Sequence, residues 1–193
     1  INPWHLVDTD EDNNRKAASG THSMWAGDES KGDGEYDNNW DFSIYTKDEI
    51  ELGTTNPRMS VKIWFNTETN WDGGNVQITT DDGDTWEVIN PDGGYPDPDV
   101  VGLDNEPGYS GNSGDGTDPS WETANFSLTN YTNEDVRFKF RFGTDGSVEN
   151  YEGWYIDDFE VTSGTQTLFS DNFENGDSEW IADVVESEWN YYN

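Results

Sequence analysis

Val136-Arg137-Phe138-Lys139-Phe140-Arg141-Phe142 alternates without a break between bulky apolar residues and cations. Successive side chains of a strand point to opposite faces. This run therefore places Val136, Phe138, Phe140 and Phe142 on one face and Arg137, Lys139 and Arg141 on the other. The apolar face is made for burial. The other holds three of the chain's 9 Lys and Arg residues, placed to meet carboxylates across a neighbouring strand. The flanking sequence repeats the pattern. Ser60 to Phe65 reads as a strand with Val61, Ile63 and Phe65 on one face, and Asn75 to Thr79 offers Val76 and Ile78. Asp84 to Ile89 follows a Gly-centred turn and pairs with that strand as a hairpin. Trp121 to Leu128 presents Phe126 and Leu128, and Gly153 to Val161 presents Tyr155, Phe159 and Val161. Helical periodicity is nearly absent. Many short strands separated by turn clusters predict an all-β fold, an antiparallel two-sheet β-sandwich of jelly-roll type.

The length of 193 residues suits one large sandwich, and there is no cysteine to cross-link it. A formal charge of -33 argues against nucleic acid and against anionic membrane surfaces as partners. With only 31% hydrophobic residues, such a charge would ordinarily indicate disorder. Against that stand 10 Trp, 9 Tyr and 9 Phe, which fall in the periodic segments. Each buried aromatic removes roughly 150–250 Å² from water, so fewer residues suffice for a core. Carboxylates at this density need counter-ions, either bound divalent cations or high external salt of the kind met in halophilic or marine settings. No stretch reaches the roughly 18 apolar residues of a membrane span, and no leader segment is visible. Asn125-Phe126-Ser127 and Asn130-Tyr131-Thr132 are glycosylation acceptor triplets, a kind that also arises by chance in an Asn-rich chain.

Four local motifs stand out. Thr79-x-Asp81-x-Gly83-x-Thr85-Trp86 is an Asp-box, read first as a turn staple and second as a metal or sugar site. Gly153-Trp154-Tyr155-Ile156-Asp157-Asp158-Phe159 sets two adjacent acids in an aromatic strand, where something must satisfy them; a hard cation at the sandwich edge would. Asp171-Asn172-Phe173-Glu174-Asn175-Gly176, with Trp180, is a second acid-aromatic segment, and Ser19 to Asp28 is a tight turn entering a strand. The span from Asn90 to Ser120 is rich in Gly, Pro and Asp, and reads as a long functional or mobile loop.

Taken together, the Ser19 to Asp28 run, the Trp71-Asp72-Gly73-Gly74 turn, the Asp-box, Phe140 to Gly143 and Trp154 to Phe159 resemble the MAM-like jelly-roll family. That family includes the cleaved-adhesin modules of gingipains and the MAM-like region of secreted immune inhibitor A metallopeptidases. The resemblance implies a structural calcium where an opening D-x-F-E strand meets a closing D-D-I-type strand. Its ligands here would be Glu174, Asp157 or Asp158, a backbone carbonyl near Gly20 or Thr21, and Asp28. A second acidic group, Glu68, Asp72 and Asp145, forms either another cation site or a solvated loop near the Trp71 turn. The order departs from the family, because the opening-type segment lies at the C-terminus. The expected organisation is a body over 1–161, a linker over 162–170 and a strand segment over 171–193. That segment, with Phe173, Glu174 and Trp180, folds back on its own body, opens the next copy of a tandem repeat, or is donated to a neighbouring subunit.

Catalytic signatures are missing. There is no H-E-x-x-H, no phosphate loop and no G-x-S-x-G elbow. Thiol chemistry is impossible, and acids are too abundant for any pair to signal glycoside hydrolysis. His22 is read as a packing or hydrogen-bonding residue of its turn. The expectation is a non-catalytic, extracellular or cell-surface, calcium-stabilised structural or adhesive module, whose partners are copies of itself joined head to tail or adjacent repeats. Two alternatives stand beside it. One is a carbohydrate-binding module that uses Trp40, Tyr95 and Tyr109 on glycans, against which stands simple loop packing of those rings. The other is an ancillary domain of a secreted metallopeptidase.

Overall fold

A computed structural model describes residues 2–31, 35–115 and 117–183. Its strands in chain order are β1 (Trp4–Asp8), β2 (His22–Ala26), β3 (Asp41–Thr46), β4 (Ile50–Glu51), β5 (Pro57–Asn66), β6 (Gly73–Thr79) and β7 (Glu87–Val88). They continue as β8 (Asp97–Val100), β9 (Glu106–Gly108), β10 (Glu122–Ser127), β11 (Asp135–Gly143), β12 (Gly153–Ser163), β13 (Gln166–Asp171) and β14 (Trp180–Ala182). The first sheet runs β1-β2-β12-β5-β10 with β13 also on β12. The second runs β14-β3-β11-β6-β7 with β4 on β11. All pairings within both sheets are antiparallel, and the sheets pack face to face as a sandwich. No helix among the described residues is long and apolar enough to cross a membrane.

The core follows the alternation. Val136, Phe138, Phe140 and Phe142 are fully buried, as are Val61, Ile63, Val76, Phe126 and Leu128. On the reverse of β11, Arg141 reaches Asp41, Asp104 and Glu106, and Arg137 reaches Asp82. Aromatic edges fill the remaining space, with Phe140 and Phe159 both packed edge-on at 5.6–6.0 Å from neighbouring rings.

Tyr155 departs from its expected side. The main core takes Trp154 and Ile156, then Phe159 and Val161, so the alternation skips once. The cause is a bulge: the register of β12 on β5 shifts between Asp157 and Glu160, and Asp158 has φ 45°. One extra residue reverses the facing of everything on one side of it. Tyr155 consequently joins Val7, Trp25 and Trp64 on the outer face of the first sheet. The β1–β2 connection closes over them, with the Arg15 guanidinium 4.1 Å from the Trp25 ring and the Lys16 ammonium 4.4 Å from Trp64.

Two stretches are more ordered than their composition suggests. The 90–120 span holds the β8–β9 ribbon, with Val100, Leu103 and Tyr109 buried. The stretch expected as a linker, 162–170, is the end of β12, a turn and most of β13, paired from Ser163–Gln166 to Phe159–Asp171. Thr165-Gln166-Thr167 looks like a linker because β13 buries little of itself. Its backbone pairing with β12 carries no compositional signal. Residues 184–193 of the expected C-terminal segment lie outside the described residues.

Candidate functional site

Carboxylates gather in two places, and the first is the seam where the chain closes. β12 pairs with β2 through Trp154–Ile156 and, beyond the bulge, with β13 through Phe159–Ser163. From the end of β13 the chain crosses to the second sheet, where β14 lies beside β3 with Trp180 opposite Thr46. Phe173 sits in the crossing, fully buried although its φ is 60°. A bulky residue in that region costs about 1–3 kcal/mol. Burial of the ring among Trp180 at 5.6 Å and the main core offsets it.

The crossing brings Glu174 to the 18–22 turn. Glu174 Oε1 accepts from the amides of Thr21 at 2.9 Å and His22 at 2.8 Å. Its Oε2 lies 3.2 Å from His22 Nδ1 and accepts from Thr21 Oγ1 at 3.4 Å. The His22 amide, and with it the Thr21 amide and the His22 ring, hold the Glu174 carboxyl below the usual carboxylate range. Gly20, at φ 57°, is required here, because a Cβ would overlap the Glu174 carboxylate. From the other side the bulge turns Asp157 and Asp158 to the same turn. Asp157 Oδ2 accepts from the amides of Ala18 at 2.7 Å and Ser19 at 3.1 Å, its Oδ1 accepts from the Asp158 amide at 2.6 Å, and Ser19 Oγ donates to Asp158 Oδ1 at 2.6 Å. Burial nevertheless pushes Asp157 up to about 6.

Gly20, Thr21, Asp157, Asp158 and Glu174 therefore do converge. Asp28 does not join them. Trp154 and Ala26 are opposite one another at one end of β2, and Asp157 meets the turn at the other, so Asp28 stands beyond the far end of the strand. There its Oδ1 accepts from the Ser30 amide at 2.9 Å and Ser30 Oγ at 2.6 Å, an ordinary turn role.

The second gathering is the triad Glu68, Asp72 and Asp145, whose ligand-capable oxygens all lie within 4.8 Å of one another. The β5–β6 turn supplies the first two, and the connection after β11 supplies the third. Asp72 is fully buried. Its Oδ2 accepts from the Tyr36 hydroxyl at 2.6 Å and its Oδ1 from the Asp145 amide at 2.7 Å. Tyr36 in turn accepts from the Glu68 amide at 3.0 Å. Among the described residues Glu68 Oε2 is buried with no hydrogen-bond partner, and none of the three acids is ion-paired to a cation. Burial pushes Asp72 up to about 6, and burial together with Asp145 raises Glu68. These groups fit a hard cation: three carboxylates, one with an orphaned buried oxygen, and no positive charge paired with them among the described residues. Sequence reading missed Tyr36, the hydroxyl that braces Asp72. Nothing in its context marks it out, since the contact joins residues 36 apart.

The Asp-box is a staple. Asp81 accepts from Thr79 Oγ1 at 2.6 Å, the Thr85 amide at 2.9 Å and Thr85 Oγ1 at 2.6 Å, and these bonds hold its carboxyl at about 2. Asn125 and Asn130 are exposed, on β10 and the short turn after it. Tyr95 and Tyr109 are not exposed platforms. Their rings pack edge-on at 4.9 Å, and Tyr109 is 5% exposed. Trp40 is partly buried against Tyr36, Phe42 and Phe142.

Compared with known proteins, the chain matches the family described as immune inhibitor A-like, MAM domain, over residues 15–186. No curated protein matches it significantly.

Proposed function

The chain belongs to the immune inhibitor A-like MAM domain family, and from that premise we propose that it is a non-catalytic, calcium-pinned module of a secreted metallopeptidase-type protein. The matched region runs past the C-terminal crossing, so that segment is part of the domain's own pattern. Domains of this family come from secreted proteins, which supports an extracellular setting. The observation that carries calcium is the triad without a counter-charge among the described residues: Asp72 is buried, and Glu68 Oε2 has no hydrogen-bond partner among those residues. Glu68, Asp72 and Asp145 would hold the ion, which takes 6–8 oxygen ligands and would stitch the β5–β6 turn to the connection after β11. At the seam, amides and hydroxyls already engage Asp157, Asp158 and Glu174, so an ion there would have to displace or share those bonds. Self-assembly by strand donation has weaker support, because Phe173 and Trp180 fill the seam of their own body.

Calorimetry with calcium and with chelator, at constant ionic strength, tests this reading. An ion bound only by the folded state stabilises by about 2.7 kcal/mol at a hundredfold excess over Kd. A higher Tm in calcium is expected for the native chain and not for Asp72→Asn. The same melting curve with and without chelator would remove the calcium.

A further inference from the structure

A cavity of about 350 Å³ lies where the 90–120 span meets β5 and β10, away from both acid clusters. Phe65, Tyr95 and Tyr109 form its wall, Glu122 stands at its side, and Gly93 and Gly94 form part of its rim. The two glycines, at φ 89° and 82°, have no atom within 4 Å of where a Cβ would stand, so the mouth on that side is open. This is the lower end of the roughly 300–1,000 Å³ range of small-molecule pockets.

The polar groups of this cavity are in unequal states. The Tyr95 hydroxyl is fully used, accepting from the Val76 amide at 3.0 Å and donating to the Ile89 carbonyl at 2.8 Å. The Tyr109 hydroxyl is buried and has no partner among the described residues. Packing explains where the ring sits, between Tyr95 at 4.9 Å and Phe65 at 5.5 Å, but a phenylalanine would pack as well. A buried hydroxyl left unpaired costs stability, so its presence calls for a partner that comes from outside. Glu122 uses one oxygen on the Gly114 amide at 3.3 Å, and its other oxygen takes no hydrogen bond among the described residues. Burial raises the Tyr109 hydroxyl, and the charge of Glu122 raises it further, so it stays a neutral donor.

We propose that this cavity is a saccharide-binding pocket, in which the Tyr109 hydroxyl donates to a sugar hydroxyl and Glu122 accepts from a neighbouring one. The chemistry selects the class. An anion is repelled by Glu122 and by the chain's charge of -33. An ammonium can satisfy Glu122 but has no acceptor for the tyrosine hydroxyl. Adjacent hydroxyls of a saccharide donate and accept at once, which serves both groups. The pocket does not depend on the calcium triad and shares no residue with it.

Isothermal titration against cello-, xylo-, manno- and chito-oligosaccharides, with choline as the cationic control, tests the proposal. One saccharide series is expected to bind. Tyr109→Phe keeps the ring and removes only the hydroxyl, so it should weaken that binding roughly tenfold while Tm stays level or rises. Glu122→Gln should weaken it as well. Three results overturn the assignment: no saccharide bound at millimolar concentration, choline bound in their place, or Tyr109→Phe binding as tightly as the native chain.

Discussion

The seam and the triad are both built from carboxylates, yet they stand in opposite states. At the seam, Glu174 is met by two amides, a hydroxyl and an imidazole, and Asp157 by three amides. At the triad, three acids share one hydroxyl and two amides, and a buried oxygen has no partner among the described residues. The difference lies in the backbone. A tight turn such as 18–22 presents several N–H groups in one direction and can neutralise a carboxylate by itself. The β5–β6 turn spends its amides on its own closure, with Trp71 and Asp72 both donating to the Glu68 carbonyl. Acids are therefore structural where the chain supplies donors, and they invite a cation where it does not.

Breaking the seam should have the largest effect. Phe173→Ala removes a ring that is fully buried against Trp180 and leaves a cavity between the sheets. A loss of about 3–5 kcal/mol is expected from urea unfolding, large against the 5–15 kcal/mol of an ordinary domain. Because Phe173 packs in the crossing between β13 of one sheet and β14 of the other, loss of soluble monomer at growth temperature is the accompanying outcome. A stability close to native would mean that the crossing is an appendage. Gly20→Ala should cost less, about 1–3 kcal/mol, through left-handed strain and the displaced Glu174 carboxylate. If it were neutral, the seam's hydrogen bonds would contribute nothing.

How far these features can be read from the sequence follows the same division. The sandwich is written in period-two runs, and Val136 to Phe142 gives its central strand, with Arg141 meeting Asp41 on the neighbouring strand as expected and Arg137 meeting Asp82 in a turn instead. The gathering of Asp157, Asp158 and Glu174 at Gly20 and Thr21 was readable through a resemblance, whereas Asp28 was misplaced. Strand register decides at which end of β2 a residue falls, and register is a property of pairs of strands. Alternation puts Tyr155 on the wrong face because a bulge at Asp158 leaves no compositional trace. β13 reads as a linker because an edge strand with little burial needs no apolar pattern. The pocket at Tyr109 depends on which hydroxyl finds a partner, and only packing settles that.

The contrast between the two clusters sharpens into opposite responses to pH, the smallest of the expected effects. Asp72, raised to about 6 when folded against about 4 when unfolded, binds more protons in the native state between those values. In chelator its ionisation destabilises the fold as pH rises from 4 to 6, on the order of 2 kcal/mol, and calcium should abolish that slope by holding the carboxylate ionised. Glu174 lies below its unfolded value, so what it contributes is complete above roughly pH 4.3 and is lost as pH falls through its folded value. The test compares native chain with Asp72→Asn and with Glu174→Gln by urea unfolding from pH 3.5 to 7. The difference from Asp72→Asn should grow against the native chain as pH rises in chelator and turn in the native chain's favour in calcium, while the difference from Glu174→Gln should shrink as pH falls. Parallel profiles for the two variants would mean that the clusters are electrostatically alike, and the distinction between donor-satisfied and cation-seeking carboxylates would fail.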